Sequence, residues 1–322
     1  MRRFEYRVPE TAAEAARAGA EGSALRKAGG IDLIDRMKEG LDRPAVVVGL
    51  HKALSSEIRL QDGQLLIGAG ATLAELGRSE LVRSQLACLA AGAGEAATPA
   101  VREAATLGGN LLQRPRCWYF RSRHYSCLKK GGALCWAQEG RHENHALFDN
   151  GHCAVVHPSN AAPALIASDA RVRLTGPGGD RELPLARLYA PASADPEVEF
   201  TLKPDEVLTW IVVPANKLGP RSAHYEVRHK QSFDWPLAMA AANFNGPPRL
   251  VLGAVASVPM QIPASVIDGK SGPELRAAIA TLAAKVVSEA TPLERNAWRL
   301  PLLQAAIQRA MLLASGVSED QW

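Results

Sequence analysis

A glycine pair marks the stretch that decides the fold of the first part of the chain, Ala28-Gly29-Gly30-Ile31-Asp32-Leu33. A strand-like alternation at residues 4–8 precedes it, and the apolar run at residues 45–48 follows it. Thr11 and Glu14 have the spacing of a capping box that opens an Ala-rich helix. The order strand, helix, strand, helix, strand is that of a parallel βαβ unit, with the glycine pair at a strand-to-helix junction.

Two interpretations fit this glycine pair. Its backbone can approach a ligand closely because it has no side chains, and the free N–H groups at the start of the helix suit a pyrophosphate. A tight turn that binds nothing explains the same residues. The spacing differs from the G-x-G-x-x-G fingerprint, so a nicotinamide-binding Rossmann fold is poorly supported.

A second glycine pair lies in Thr106-Leu107-Gly108-Gly109-Asn110, between apolar stretches. Its backbone N–H groups could line a phosphate or flavin pocket in a nest-like turn. A loop without a ligand is again the alternative. Two such glycine turns in one chain only modestly strengthen the case for a dinucleotide.

The composition is that of a soluble globular protein, with 47% hydrophobic and 22% charged residues. The length of 322 residues suggests two domains, or three. No apolar run approaches the roughly eighteen residues of a membrane span, and polar residues follow Met1-Arg2-Arg3 where a signal peptide would be apolar. The Pro-rich residues 184–204 form the expected linker, which predicts domains at 1–180 and 181–322.

The remaining elements follow from local patterns. Alternating residues around Asp62-Gly63 predict a β-hairpin over residues 56–69. An Ala- and Leu-rich stretch predicts helix over residues 73–97. The C-terminal half predicts strands at 207–213, 223–228, 238–243 and 249–258, then helices at 273–290 and 292–314.

One segment, residues 113–157, is chemically unlike the rest. It has seven basic and three acidic side chains, so its excess equals the formal charge of +4 of the whole chain. It also holds four of the five cysteines, spaced C-x9-C-x7-C-x17-C: Cys117, Cys127, Cys135 and Cys153. The fifth, Cys88, lies in an apolar run and is expected to be a buried core thiol.

Four thiolates could hold a zinc ion or a [4Fe-4S] cluster, although the spacing matches neither C-x2-C zinc pairs nor the ferredoxin run. The basic surroundings favour an anionic metal–thiolate cluster. Zinc, disulfides in an exported protein, and unrelated free thiols remain alternatives.

Three ordered motifs carry a resemblance to the FAD-binding subunits of the xanthine dehydrogenase and carbon-monoxide dehydrogenase family. They are the two glycine motifs and Pro158-Ser159 with Pro163-Ala164-Leu165. The match continues through residues 202–214 and 225–242, so it covers nearly the whole chain.

The cysteine segment resembles an insertion found in two branches of this family, the periplasmic-type aldehyde oxidoreductases and 4-hydroxybenzoyl-CoA reductase. The closer likeness is to the aldehyde oxidoreductases, on Asn110-Leu111-Leu112-Gln113-Arg114 and on Val227-Arg228 with Ser232. This resemblance implies that the four cysteines ligate an extra [4Fe-4S] cluster: Cys117, Cys127, Cys135 and Cys153.

The resemblance also implies an α+β fold. The expected FAD-binding domain is of the vanillyl-alcohol-oxidase (PCMH) type and carries the iron–sulfur insertion at residues 113–157. A C-terminal antiparallel sheet with packed helices follows it. The implied FAD-binding residues are Ala28, Gly29, Gly30, Ile31, Asp32, Leu33, Thr106, Gly108, Gly109, Asn110, Ser159 and Asn160. No catalytic acid, base or nucleophile is expected.

Two positions depart from the family pattern. Asn160 stands where the family's Pro-Ser-Asp motif has an aspartate, so a carboxylate expected near the flavin or its ribose becomes an amide. Glu226 stands where many relatives have a lysine near the flavin, and no role is carried over to it.

The function implied is that of an oxidoreductase subunit that transfers electrons in a heterotrimeric molybdenum-dependent aldehyde oxidoreductase. A large subunit with a molybdenum cofactor would hydroxylate the substrate, a small subunit with two [2Fe-2S] clusters would relay electrons, and FAD on this chain would pass them to an external acceptor. Neither nucleic-acid binding nor membrane insertion is expected. The location would be cytoplasmic, or periplasmic through co-export with a partner that carries a twin-arginine signal.

Other functions remain open at this point. They are a flavin subunit of a 4-hydroxybenzoyl-CoA reductase-like enzyme, a stand-alone FAD oxidase of the same fold, and a zinc-stapled binding module without a redox role.

Overall fold

A computed structural model describes residues 1–230 and 233–318. Its N-terminal part is the predicted parallel βαβ unit, with strand order β1-β3-β2. The strands are β1 (Glu5–Arg7), β2 (Leu25–Lys27) and β3 (Val46–Gly49), connected through α1 (Ala12–Gly19) and α2 (Ile31–Lys38). Both halves of the predicted capping box form at the start of α1, between Thr11 and Glu14. Gly30 caps α2 with a φ of 83°, a left-handed conformation that suits glycine.

The second sheet is antiparallel and has five strands in the order β4-β5-β8-β6-β7. They are β4 (Ile58–Gln61), β5 (Gln64–Gly68), β6 (Arg171–Gly176), β7 (Gly179–Pro184) and β8 (Val207–Val213). The hairpin predicted at Asp62-Gly63 connects β4 and β5, and both turn residues have positive φ, 50° and 75°. Strand β8 lies between β5 and β6, so this sheet draws on chain from both sides of the Pro-rich stretch.

Seven short helices follow β5 and precede β6. They are α3 (Leu73–Arg78), α4 (Glu80–Gln85), α5 (Ala87–Gly94), α6 (Pro99–Ala104), α7 (Leu107–Leu111), α8 (Trp118–Arg121) and α9 (Ala161–Ala167). The predicted helical stretch is therefore correct in type, but several short helices replace one long one. Helices α5 and α9 pack in one core with β5, β6 and β8. Cys88 on α5 is fully buried in that core, as predicted.

The third sheet is antiparallel, with strand order β12-β11-β10-β9. Its strands are β9 (Ser222–Val227), β10 (Ala238–Asn243), β11 (Arg249–Gly253) and β12 (Met260–Pro263), and α10 (Gly272–Ser288) and α11 (Leu300–Ala314) contribute to its core. The predicted strand at residues 249–258 ends early because the chain turns at Ala254, which has a φ of 60°. The predicted last helix begins only at Leu300, with Pro301 in its first turn.

The cysteine segment packs against this third sheet rather than standing apart. Leu147 and Phe148 are buried in the same core as α10 and α11. Their backbone N–H groups donate to Val255 O at 2.7 and 3.1 Å, and His157 N donates to Ala256 O at 2.8 Å. The second half of the segment therefore belongs to the core of the sheet.

A buried arginine connects the cysteine segment to the third sheet through hydrogen bonds. Arg299 is 1% exposed, and its guanidinium donates to Leu237 O, to Ala254 O at 2.7 Å and to His145 O at 2.5 Å. Burial lowers the pKa of Arg299 to about 10, still well above neutral pH. Within the described ranges, no helix is both long and apolar enough to cross a bilayer.

Replacing Arg299 with Met should lower the free energy of unfolding by about 2–4 kcal/mol, because buried carbonyl groups lose charged donors. Urea denaturation followed by tryptophan fluorescence measures this change. Lys285→Met is the matched control. Lys285 is exposed, and its Nζ lies as far as 3.9 Å from Glu289 Oε1. This substitution should lower the free energy of unfolding by less than about 0.5 kcal/mol. Equal unfolding midpoints for the two variants would contradict this role of Arg299.

Candidate functional site

The largest cavity brings the sequence motifs together. It has a volume of about 430 Å³ and lies between the turn before α2, the start of α7 and residues 233–236. Its walls include eleven of the twelve predicted FAD-binding residues: Ala28, Gly29, Gly30, Ile31, Asp32, Leu33, Thr106, Gly108, Gly109, Asn110 and Asn160. The twelfth, Ser159, is fully buried and lies behind the wall.

Packing within the chain requires the first glycine of the first pair. A Cβ at Gly29 would lie 1.9 Å from Ala104 O, so this glycine allows close packing of the chain against the end of α6. The expected reason, close approach to a ligand, is therefore not needed to explain Gly29. Helix α2 has no side-chain cap, which leaves the N–H groups of its first turn available at the cavity.

The second glycine pair forms helix α7, so the predicted nest is wrong in form. Thr106 caps the helix by accepting from Gly109 N at 3.1 Å, and Gly108 N donates to Ala69 O at 2.9 Å. These N–H groups are therefore not free to bind a ligand. Gly109 itself is exposed, and a Cβ there would closely approach only Thr106 Oγ1, at 3.1 Å. Packing within the described chain thus gives little reason for a glycine at this position.

Asn110 and Ser159 hold the wall in place. Ser159 Oγ donates to Asn110 Oδ1 at 2.6 Å and accepts from Ala162 N at 3.0 Å. This connects the end of α7 to the start of α9. Among the twelve predicted FAD-binding residues, Ser159 therefore has a structural role.

The two residues that depart from the family pattern, Asn160 and Glu226, are in contact. Asn160 Nδ2 donates to Glu226 Oε2 at 2.8 Å. The Glu226 side chain is 1% exposed and pairs with Arg228. Arg228 in turn donates to Glu95 O at 2.8 Å. Ser232, which the resemblance also used, lies outside the described residues.

Sequence reasoning missed several residues that line this cavity, among them Arg116 and Trp235. The Arg116 guanidinium lies 4.9 Å from the centre of the Trp235 ring. Its Nε is buried without a hydrogen-bond partner, and burial lowers the pKa of Arg116 to about 10. The basic character of the cysteine segment was the only signal for Arg116, and no local pattern pointed to Trp235.

Asp32 connects the cavity to the cysteine segment. Its carboxylate pairs with Arg36 on its own helix, with Arg116 at 3.1 Å and with Arg121 at 2.5 Å. It also accepts from Arg114 N at 3.1 Å. Burial alone would raise the pKa of Asp32, but the positive charges of these arginines outweigh it and hold that pKa below its usual value.

The four predicted cysteines line one small cavity: Cys117, Cys127, Cys135 and Cys153. His145 also lines it, with Nε2 3.2 Å from Cys117 Sγ. The Cys153 thiol donates to Cys135, which lowers the pKa of Cys135 to about 6, whereas burial raises the pKa of Cys117 to about 11. In the part of the chain that the structure describes, no group of three or more His, Cys, Asp or Glu side chains is arranged around a single metal ion.

Comparison with known proteins agrees with this architecture. Residues 2–216 match the family described as FAD binding domain in molybdopterin dehydrogenase. The aldehyde oxidoreductase FAD-binding subunit PaoB of Escherichia coli (strain K12) is 32% identical over 314 residues, which cover 95% of this chain and 96% of that protein. The carbon monoxide dehydrogenase medium chain of Hydrogenophaga pseudoflava is 28% identical over 74% of this chain and 68% of its own length.

Solved structures show the same fold. Quinoline 2-oxidoreductase from Pseudomonas putida 86 superposes with a TM-score of 0.74 at 21% identity, covering 100% of this chain and 99% of that one. Carbon monoxide dehydrogenase from Hydrogenophaga pseudoflava gives a TM-score of 0.73 at 22% identity, over 98% of each chain. The chain therefore belongs to the family of FAD-binding subunits of molybdenum hydroxylases and is an oxidoreductase subunit.

Proposed function

We propose that this chain is the electron-transfer subunit of a heterotrimeric molybdenum-dependent aldehyde oxidoreductase, with one FAD in the large cavity and one [4Fe-4S] cluster on the four cysteines. One observation carries the proposal: consecutive residues line the two cavities, Arg116 the larger and Cys117 the smaller. Two redox groups held there would therefore be held by neighbouring residues of one segment. The nearly full-length similarity to an aldehyde oxidoreductase subunit favours this enzyme class over the reductase and oxidase alternatives.

The residues of the large cavity fit FAD. The uncapped first turn of α2 offers N–H donors to a phosphate group, and the nearby cations Arg26, Lys27 and Arg116 favour an anionic ligand. Gly109 leaves room where a side chain would face the cavity. When bound, FAD accepts electrons singly and can release them in pairs, while the protein supplies position and electrostatics.

The donor set of the small cavity, four cysteine thiols, has the number and type of ligands that a cubane cluster needs. Thiolates around one zinc lie about 3.8 Å apart, given Zn–S bonds of about 2.3 Å in a tetrahedron. The described side chains show no such single-ion arrangement. A cubane binds each thiolate to a different iron and spreads them more widely. Lys129, which is 4% exposed, lines the same cavity and offsets negative charge there.

The chain itself needs no catalytic acid or base for this function. A molybdenum-cofactor large subunit would oxidise the substrate, and a small subunit with two [2Fe-2S] clusters would deliver the electrons. This chain holds its redox groups in a fixed geometry and passes the electrons to an external acceptor. The complex would work in the cytoplasm, or in the periplasm after co-export with a partner.

Serine in place of any of the four cysteines should reduce bound iron, because an alkoxide is a poor substitute for a thiolate in a cubane site. Iron and labile sulfide are measured in the purified variants Cys117→Ser, Cys127→Ser, Cys135→Ser and Cys153→Ser. Cys88→Ser is the control, since Cys88 lies in the core of α5 and far from this cavity's walls. Full iron in the four variants, or iron loss in the control, would show that the ligand set is wrong.

Gly109→Val should lower the FAD content several-fold while the thermal unfolding temperature changes by no more than a few degrees. Its added side chain would enter space that the protein does not fill. Gly178→Val is the control, because a Cβ at Gly178 has nothing within 4 Å and the residue lies outside the cavity. By contrast, Gly29→Val should lower the unfolding temperature itself, because of the clash with Ala104 O. The ratio of flavin to protein absorbance, measured beside the melting curve, checks all three variants; unchanged flavin in Gly109→Val would refute the site.

Asp32→Asn should lower FAD and iron content together, because its carboxylate pairs with Arg116 of the large cavity and with Arg121, whose backbone N–H donates to Cys117 O. Asp35→Asn on the same helix is the control, since the Asp35 side chain is 55% exposed and at least 3.5 Å from its arginine partners. The pKa of Asp32 is depressed below its usual 3.8, so its stabilisation is present above that pH and is lost as the pH falls through the lowered value. Loss of only one cofactor in Asp32→Asn would contradict the coupling.

A further inference from the structure

A row of buried polar side chains leads away from the wall of the large cavity. Asn160 lines the cavity and is 6% exposed. It donates to Glu226, which pairs with Arg228, and Arg228 bonds to both the carbonyl and the carboxylate of Glu95. The side chains of Glu226 and Arg228 are 1% and 4% exposed, whereas that of Glu95 is 63% exposed. The row therefore runs from the cavity to the surface.

This contact fixes the orientation of the Asn160 amide. A carboxylate can only accept hydrogen bonds, so the NH₂ group of Asn160 must face Glu226, at 2.8 Å. The carbonyl oxygen Oδ1 is then turned the other way. No residue in the described ranges donates to Oδ1, and Oδ1 is not among the buried atoms that lack a partner. Since Asn160 is accessible through the cavity it lines, Oδ1 is presented there.

The Glu226 carboxylate has a charged neighbour besides its contact with Asn160. It extends from β9, and the guanidinium of Arg228, the first residue after that strand, pairs with its carboxylate. Arg228 is anchored in turn by Glu95 O at 2.8 Å. The carboxylate that accepts from the Asn160 amide is thus also an ion-pair partner of Arg228.

We propose that Glu226 is a positioning residue that locks Asn160 so that its side-chain carbonyl serves as a neutral hydrogen-bond acceptor for a ring N–H of the flavin. This inference rests on the proposed FAD site in the large cavity. Reduced flavin carries a ring N–H that oxidised flavin lacks, and an acceptor for that N–H acts differently on the two redox states. The residue pair at positions 160 and 226 therefore sets the flavin potential.

The test exchanges donor and acceptor within the pair in the purified subunit or complex. Glu226→Gln frees the Asn160 amide to rotate, because a Gln side chain can donate or accept. We expect full FAD content and at least a tenfold change in the relative affinity for reduced and oxidised FAD. This equals a shift of about 30 mV in the two-electron midpoint potential. Glu95→Gln, at the exposed end of the row, is the control and should shift the potential less than half as far.

The second arm separates positioning from packing. Asn160→Asp alone places two carboxylates in contact and should lower FAD content several-fold. Adding Glu226→Gln to Asn160→Asp restores a donor–acceptor pair in the opposite direction, so FAD content should recover to that of the wild type. The potential should nevertheless fall by at least about 30 mV, since a charged acceptor now faces the cavity and disfavours reduced, more negative flavin.

The outcomes distinguish this inference from the site on which it rests. Wild-type potential in both Glu226→Gln and the double variant, with FAD bound, would overturn the positioning role, as would a double variant that does not regain FAD. If Gly109→Val and Asn160→Asp both keep full FAD, the cavity is not the flavin site, and the proposed function fails first. A shift in Glu226→Gln together with recovery in the double variant supports the inference.

Discussion

The structure depends on one partly buried carboxylate shared by several arginines. Asp32 lies in the first turn of α2 and binds Arg116 and Arg121 of the cysteine segment as well as Arg36 of its own helix. Removing charge from water is costly, so such a carboxylate is stable only while its partners stay in place. The turn before α2, the wall of the large cavity and the start of the cysteine segment are therefore fixed relative to one another by a single electrostatic centre.

Features set by short-range chemistry could be predicted from the sequence. The capping box at Thr11 and the hairpin at Asp62-Gly63 form as expected, because their residues satisfy each other within a few positions. Helix α7 shows the limit of such reasoning. Its glycine pair has low helix propensity, yet the Thr106 cap and the bond from Gly108 N to Ala69 O hold it helical. In α7, tertiary contacts therefore outweigh the low helix propensity of the two glycines.

The composition of the site could be predicted better than its interactions. The sequence motifs identified many of the residues that line the large cavity. The concentration of cysteines identified the thiols that line the smaller cavity. The bond between Asn160 and Glu226 joins residues 66 positions apart, and the stacking of Arg116 on Trp235 joins two separate loops. No periodicity encodes such pairs, since they arise only when the sheets and helices pack. The two departures from the family pattern looked independent for the same reason.

The burial of Leu147 and Phe148 in the core of the third sheet limits how this protein can be altered. The cysteine segment begins at the large cavity and ends inside the core of the third sheet, so it is not a removable module. A shortened chain that joined residues 112 and 158 directly would uncover the backbone of Val255 and Ala256 along with the apolar face beneath them. An ancestor that gained or lost this segment also had to change the residues of that face. A designer who transplants the segment must transfer both contacting surfaces together.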